Sequence, residues 1–279
     1  MAAEVAIYLI PGHKRSALCC HAMYQGLRAM GQGARLLPET DYHGPDYQVA
    51  VFYGYTATLR RVMADFRGSG RTAVYIDLGY WGREGLRGHH KVAVNARHPT
   101  DYFQARTHDP KRIAKFGINP KPWRKGRNIL LAGMGEKAAE AEGFKVEVFE
   151  REAIAALRKV TDRPIVYRPK PSWLQARPIP GTLYSPKAHD VAVTLADCHA
   201  VVTHHSNVAV EGLCAGVPSF CWKGVAAPLS LQDLARIEEP YYPEARDQWA
   251  ADIAWTQWSV DEMERGLAWR YLKDEGLVP

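Results

Sequence analysis

The sequence predicts an α/β protein built from two Rossmann-like, doubly wound domains that face each other across a cleft. Three observations lead there. Short apolar runs rich in Val, Ile and Leu alternate with helical stretches, as in parallel sheets covered on both faces. The alternation breaks at 117–127, GINPKPWRKGR, where two prolines, two glycines and four basic residues interrupt it, and it then restarts. The chain has 279 residues, more than one average domain. Domains are expected at 1–122 and 123–250, followed by a C-terminal helical segment at 251–279.

In order, Val5–Ile10 reads as a strand, and the loop PGHKRS leads into a helix from Ser16 to Met30 stopped by Gly31. A second strand lies in RLLP. Gln48–Tyr53 is the third apolar run, Thr56–Phe66 a helix, Thr72–Ile76 the fourth strand and Val92–Asn95 a fifth. Beyond the break come a strand at Asn128–Ala132, a helix at Glu150–Lys159 and a strand at Ile165–Tyr167. The segment 168–186 carries five prolines and is expected to be a long loop, a common place for function. A short helix at Ala188–Leu195, a strand at Ala200–Val202, the turn 203–207, a helix from Val208 and a strand at Ser219–Trp222 complete the second domain. The Trp-rich tail is expected to be helical, most clearly over Val260–Lys273.

Composition excludes several classes. Hydrophobic content of 47% and charged content of 24% describe a soluble globular chain, and no apolar run approaches membrane-spanning length. Five cysteines without metal-ligand spacing fit a reducing cytoplasm, that of a host if the protein is viral. Cys198, Cys214 and Cys221 sit in apolar surroundings and read as small core residues. His89, His90 and His98 lack carboxylate or cysteine partners at ligand spacing, so no metal is expected there. A formal net charge of +6 favours an anionic partner: nucleic acid, a sugar nucleotide or a membrane surface. No membrane association is expected.

The richest stretch is THHSNVAVEGLCAGVPSF, 203–220. A strand, a polar turn and a helix capped by Ser206 or Asn207 would aim free N–H groups at an anion above the turn. Glu211 falls one turn after Asn207, on the same face. An ordinary capped helix explains the same pattern equally well. Upstream, YRPKPSW at 167–173 places Arg168 and Lys170 on one face of a strand end.

These two motifs, about thirty residues apart, resemble the donor-binding elements of GT-B glycosyltransferases, nearest to the capsule, polysialyl and glycerophosphate transferases. The resemblance covers roughly 125–225 and implies a nucleotide diphosphate sugar, with a UDP-sugar expected, held by the second domain. Thr203, His204, Ser206 and Asn207 would meet the diphosphate beside Arg168 and Lys170, and Glu211 would hold the ribose. A terminal helix packing back on the first domain would match the same architecture. No separate cofactor is implied, and the lack of an isolated D-x-D motif points to transfer without a metal.

Transfer to a hydroxyl needs a base. Asp77 ends a strand and opens the glycine-rich loop LGYWGREG, at the mouth of the sheet where ligands bind; capping that turn is the competing role. His13, in the loop after the first strand, is the alternative base, against a reading as part of a solvated basic turn. Tyr80, Trp81 and Arg83 are candidate acceptor contacts, as are Trp123, Arg124 and Lys125 in the basic cluster KPWRKGR, which has the makings of a phosphate-gripping surface or of a solvated linker. Gly133–Met134–Gly135 reads as a plain turn or as a close approach to a nucleotide. Compact basic transferases of this style resemble the viral enzymes that glycosylate 5-hydroxymethylpyrimidines in DNA, so DNA is the expected acceptor. A cell-envelope polysaccharide is the alternative within the enzyme class. A non-catalytic nucleotide- or nucleic-acid-binding protein is the alternative outside it.

Overall fold

The chain divides into two units, one built on a mixed sheet and the other on an all-parallel one. The structure is a computed structural model, in which residues 5–100, 106–185 and 190–279 are described. Unit 1 comprises 1–108 and 252–279, and unit 2 comprises 109–251.

Unit 1 begins with β1 (Val5–Leu9), α1 (Lys14–Ala29), β2 (Ala34–Pro38), β3 (Val49–Tyr53), α2 (Ala57–Gly68), β4 (Thr72–Leu78) and β5 (His89–Val94). Strands β1 to β4 pair in parallel, and β5 runs antiparallel to β4. The expected all-parallel pairing therefore fails at this edge, because a short loop rather than a crossover helix joins β4 to β5. One face buries Ala6, Tyr8, Ala50, Phe52, Ala73, Tyr75 and Ala93 against Leu59, Val62, Met63 and Phe66 of α2. The alternate residues Val5, Ile7, Val49, Val51, Val74 and Ile76 are also fully buried. Burial on both faces explains why these strands read as continuous apolar runs.

Unit 2 contains α3 (Lys111–Ala114), β6 (Asn128–Ala132), α4 (Glu136–Ala141), α5 (Val148–Leu157), β7 (Ile165–Arg168), β8 (Leu183–Tyr184), α6 (Val191–Leu195), β9 (Cys198–Thr203), α7 (Val208–Cys214) and β10 (Ser219–Cys221); α8 (Arg246–Ala254) runs out of it. The sheet order is β10-β9-β6-β7-β8, all parallel. Chain order proceeds outward on one side from β6 and then resumes on the other at β9. The switch point lies between β6 and β9, and the crevice at their carboxyl ends is where such sheets bind ligands. Strand β8 is a two-residue edge hidden in the proline-rich segment, too short to signal itself. Of the short helix expected at Ala188–Leu195, Ala188 and His189 lie outside the described residues.

The segment 117–127 does not separate the units. Lys121 N–H donates to Cys214 O at 2.8 Å, Arg124 N–H to Gly216 O at 3.0 Å and Arg127 N–H to Asp197 O at 3.0 Å, so the break is strapped along unit 2. The expected boundary at 122/123 moves to 108/109 for that reason. Residues 252–279 belong to unit 1. There β11 (Gln257–Ser259) adds antiparallel to β5, followed by α9 (Val260–Glu264) and α10 (Leu267–Asp274). The single helix expected over Val260–Lys273 is broken in two, because Gly266 takes φ 74°. Ser259 and Glu262 cap α9 reciprocally.

Candidate functional site

In unit 2 one row of paired residues crosses the sheet at its carboxyl edge: Cys221 opposite Thr203, Thr203 opposite Ala132, and Ala132 opposite Arg168. Each strand turns just beyond this row. Three segments thereby converge across the switch point: Gly133–Gly135 after β6, Arg168–Lys170 after β7, and Thr203–Asn207 after β9. Gly133 packs so tightly that a Cβ would lie 2.9 Å from the Tyr167 ring. Gly135 has φ 77°, and a Cβ there would lie 3.2 Å from Lys170 Cβ. The lysine stem thus lies over the glycine loop while Lys170 remains exposed. Both glycines are therefore required by packing against the protein's own side chains.

Glu150 of α5 holds that loop. Its Oε1 accepts from Met134 N–H at 2.7 Å, and the side chain is buried. Burial raises its pKa, with the backbone hydrogen bonds opposing the rise. Glu150→Ala is expected to cost about 1–3 kcal/mol by orphaning a buried N–H, whereas Glu150→Gln, still an acceptor, should recover most of it. Urea unfolding of the two variants distinguishes these outcomes. Nothing local to 150 signals this role, since its partner is 16 residues away.

The turn after β9 differs in detail from expectation. Ser206 caps α7: its Oγ accepts from Val208 N–H at 3.3 Å, whereas Asn207 is helical and makes no side-chain cap. Thr203 Oγ1 accepts from Ser206 N–H at 3.3 Å and donates to Ala132 O at 2.9 Å. Two backbone donors expected to meet an anion are therefore satisfied within the turn. Cationic charge at this edge comes from Arg168 and Lys170, and from Lys223, which is paired with Glu142. Arg168 is buried and donates to Ser185 Oγ at 3.3 Å. His204 is buried too, its ring met edge-on by Phe144 and Phe149 at 5.3 and 5.5 Å. Glu211 is half-buried one turn into α7.

The basic cluster lies at the opposite end of this sheet. Arg124 donates to Leu195 O, and the Arg246 guanidinium stacks 4.2 Å over Trp123. Lys125 lines a cavity of about 410 Å³ with Arg163, His199, Arg236, Glu238 and Tyr242, at the amino ends of β6, β7 and β9. Trp123 and Arg124 are half-buried and engaged within unit 2, and neither they nor Lys125 share the edge that carries the donor motifs.

Unit 1 gathers a second group at the carboxyl ends of β1, β3 and β4. Asp77 accepts from Tyr75 Oη at 2.8 Å and from Leu78 N–H at 2.8 Å, lies 3.9 Å from Lys91 Nζ, and keeps 37% of its side chain exposed. His13 caps α1: its Nδ1 accepts from Ser16 N–H at 3.1 Å. That tautomer carries its proton on Nε2, so the ring offers a donor and no base while the cap stands. Tyr80 and Trp81 are buried, and their N–H groups donate to Gln257 Oε1 at 2.7 and 3.2 Å. Little of either ring faces water, and Arg83 is half-buried in the loop that follows.

His90 sits among Arg15, Tyr53 and Asp77. Arg15 Nη1 lies 3.3 Å from His90 Nε2, and burial, aided by the Arg15 charge, lowers the imidazole pKa to about 4. An unfolded chain takes up this proton near pH 6.5 and the folded one does not. Stability from this group is full above pH 6.5 and is lost as pH falls towards 4, by roughly 3 kcal/mol in all. Denaturant midpoints at pH 7 and pH 5 should show the loss, and His90→Gln should flatten it. The five cysteines are free and buried, with the thiols of Cys20, Cys198, Cys214 and Cys221 pushed up to about 12, too high for a nucleophile. Among the described residues no helix is long and apolar enough to cross a membrane.

No family model matches the sequence, and no curated protein matches it significantly. Solved structures do. A β-Kdo 2,7 transferase part of KpsC from Thermosulfurimonas dismutans is similar over 95% of this chain and 98% of its own, at 13% identity and a TM-score of 0.57. The fold is that of the GT-B glycosyltransferases. A β-Kdo 2,4 transferase part of KpsC from the same organism is similar over 88% of this chain and 89% of its own, at 14% identity and a TM-score of 0.53. At such identities the GT-B likeness concerns the fold, and chemistry has to come from the residues.

Proposed function

We propose that this chain is a glycosyltransferase moving a sugar from a nucleotide diphosphate sugar, a UDP-sugar first among candidates, to an acceptor hydroxyl without a catalytic metal. One observation carries the reading: a close-approach glycine loop, a paired cationic strand end and the THHSN turn meet at the switch point of one parallel sheet. Arg168 and Lys170 would offset charge growing on the leaving diphosphate. Glu211 would hold the ribose. Asp77 is the base in this reading, since it alone of the two candidates presents an available lone pair.

The decisive experiment screens sugar nucleotides, Kdo donors included, for a rise in melting temperature. A ligand at a hundred times its dissociation constant stabilises the native state by about 2.7 kcal/mol. Lys170→Met, which keeps the stem over the glycine loop and removes the charge, is expected to abolish the shift with little change in the melting temperature of the free protein. If no sugar nucleotide shifts the wild type, a non-catalytic binding protein becomes the better account.

For the acceptor, hydroxymethylated DNA draws support from the net charge of +6 and from exposed Lys111, Lys115, Lys121 and Lys125. A glycan acceptor is favoured by the burial of Tyr80 and Trp81, which withdraws two aromatic faces from a duplex. Salt-dependent retention on duplex DNA, with sugar incorporated only into hydroxymethylated duplex, decides for DNA; absence of both decides for the glycan.

A further inference from the structure

Two adjacent imidazoles and a carboxylate meet beside the turn after β9. His204 Nδ1 and His205 Nδ1 lie 2.8 Å apart, and Glu142, at the end of α4, brings a carboxylate oxygen close enough that one donor atom from each residue lies within 4.8 Å of the others. Zinc–imidazole bonds of 2.0–2.1 Å place two nitrogens about 2.9 Å apart at a right angle and about 3.4 Å apart at the tetrahedral angle. The two rings share a hydrogen bond at 2.8 Å, close to the first spacing, and a cation replacing its proton would open the pair by about half an ångström to reach the second. Its backbone is held, since Trp222 and Lys223 N–H groups donate to His204 O at 3.1 and 2.8 Å. The edges of Phe144 and Phe149 fix the His204 ring.

A positive charge already sits here. Lys223 Nζ lies 2.5 Å from Glu142 Oε2, on a side chain that is 60% exposed, while the Glu142 side chain is 11% exposed. The ammonium can swing into water and give up the carboxylate to a better cation. Two imidazoles with one carboxylate suit Zn²⁺, Co²⁺ or Ni²⁺ rather than Mg²⁺ or Ca²⁺, which prefer all-oxygen ligands. Three protein ligands leave a position for water or an anionic oxygen.

We propose that Glu142, His204 and His205 form a binding site for a divalent transition cation, with Lys223 as the charge it displaces. The site does not depend on the transferase reading, and its test uses no nucleotide. The full chain, stripped with chelator, is titrated with Zn²⁺ by calorimetry and with Co²⁺ by visible absorption. One equivalent should bind, with a Co²⁺ spectrum of imidazole coordination. His205→Ala and Glu142→Gln each remove a ligand, so each should weaken binding by at least the roughly 10–100-fold that loss of an outer-shell partner costs. Lys223→Met should tighten it, and this exposed substitution remains informative if His205→Ala fails to fold. No stoichiometric uptake by the wild type would overturn the proposal. Uptake that ignores both Glu142→Gln and Lys223→Met would overturn it as well, because the ion would then sit elsewhere.

Discussion

Asp77→Asn is expected to lower sugar transfer by about 10²–10⁴-fold, the usual contribution of a positioned general base. The amide keeps an acceptor for Leu78 N–H or Tyr75 Oη and so should preserve the strand end, but it cannot take a proton. The effect should appear in kcat, with donor-induced melting shifts unchanged, because the donor motifs lie in the other unit. Steady-state kinetics beside a melting curve separate the two. Full turnover in the variant would reduce Asp77 to a strand-end cap paired with Lys91. The parallel substitution His13→Gln should cost far less turnover, since that ring already uses its lone pair on Ser16.

Among the described glycines of unit 1, Gly26 should cost the most stability when changed to Ala. A Cβ there would stand 2.1 Å from Met263 O and 2.9 Å from Gly266 Cα. α1 and α9 touch backbone to backbone at this crossing, so neither can yield by rotating a side chain. Overpacking against a movable neighbour costs about 1–3 kcal/mol; against main chain the cost should reach or pass the upper figure. That corresponds to a fall of roughly 6–12 °C in the melting temperature of the unit. Gly33→Ala, with nothing within 4 Å of the added carbon, is the control and should melt near the wild type. Equal melting of the two variants would mean that the terminal helices are not docked on α1.

The strands were legible because each is a local apolar run. Asn128–Ala132 agrees to the residue. Boundaries slipped where a single residue acts against its neighbours, as Gly266 does in ending α9. β11, three residues long, carries no periodicity to read. Site residues were legible as types and less so as roles. The convergence of Arg168, Lys170 and Thr203–Asn207 follows from strand ends that could be counted. That Ser206 rather than Asn207 supplies the side-chain cap is settled by one hydroxyl bond the sequence does not rank. Glu142 and Glu150 left no trace at all, because their partners come from other elements.

Alternation of apolar and helical segments was enough to determine two Rossmann-like sheets and to say which turns lie at their carboxyl edges, since hydrophobic period and turn chemistry act within a few residues. Which groups outside the strands turn inward was decided only by tertiary structure. Gln257 draws in the backbone of Tyr80 from 177 residues away, and Leu195 engages Arg124 across 71. Burial and hydrogen-bond satisfaction are properties of the assembled layers, and no local pattern encodes them.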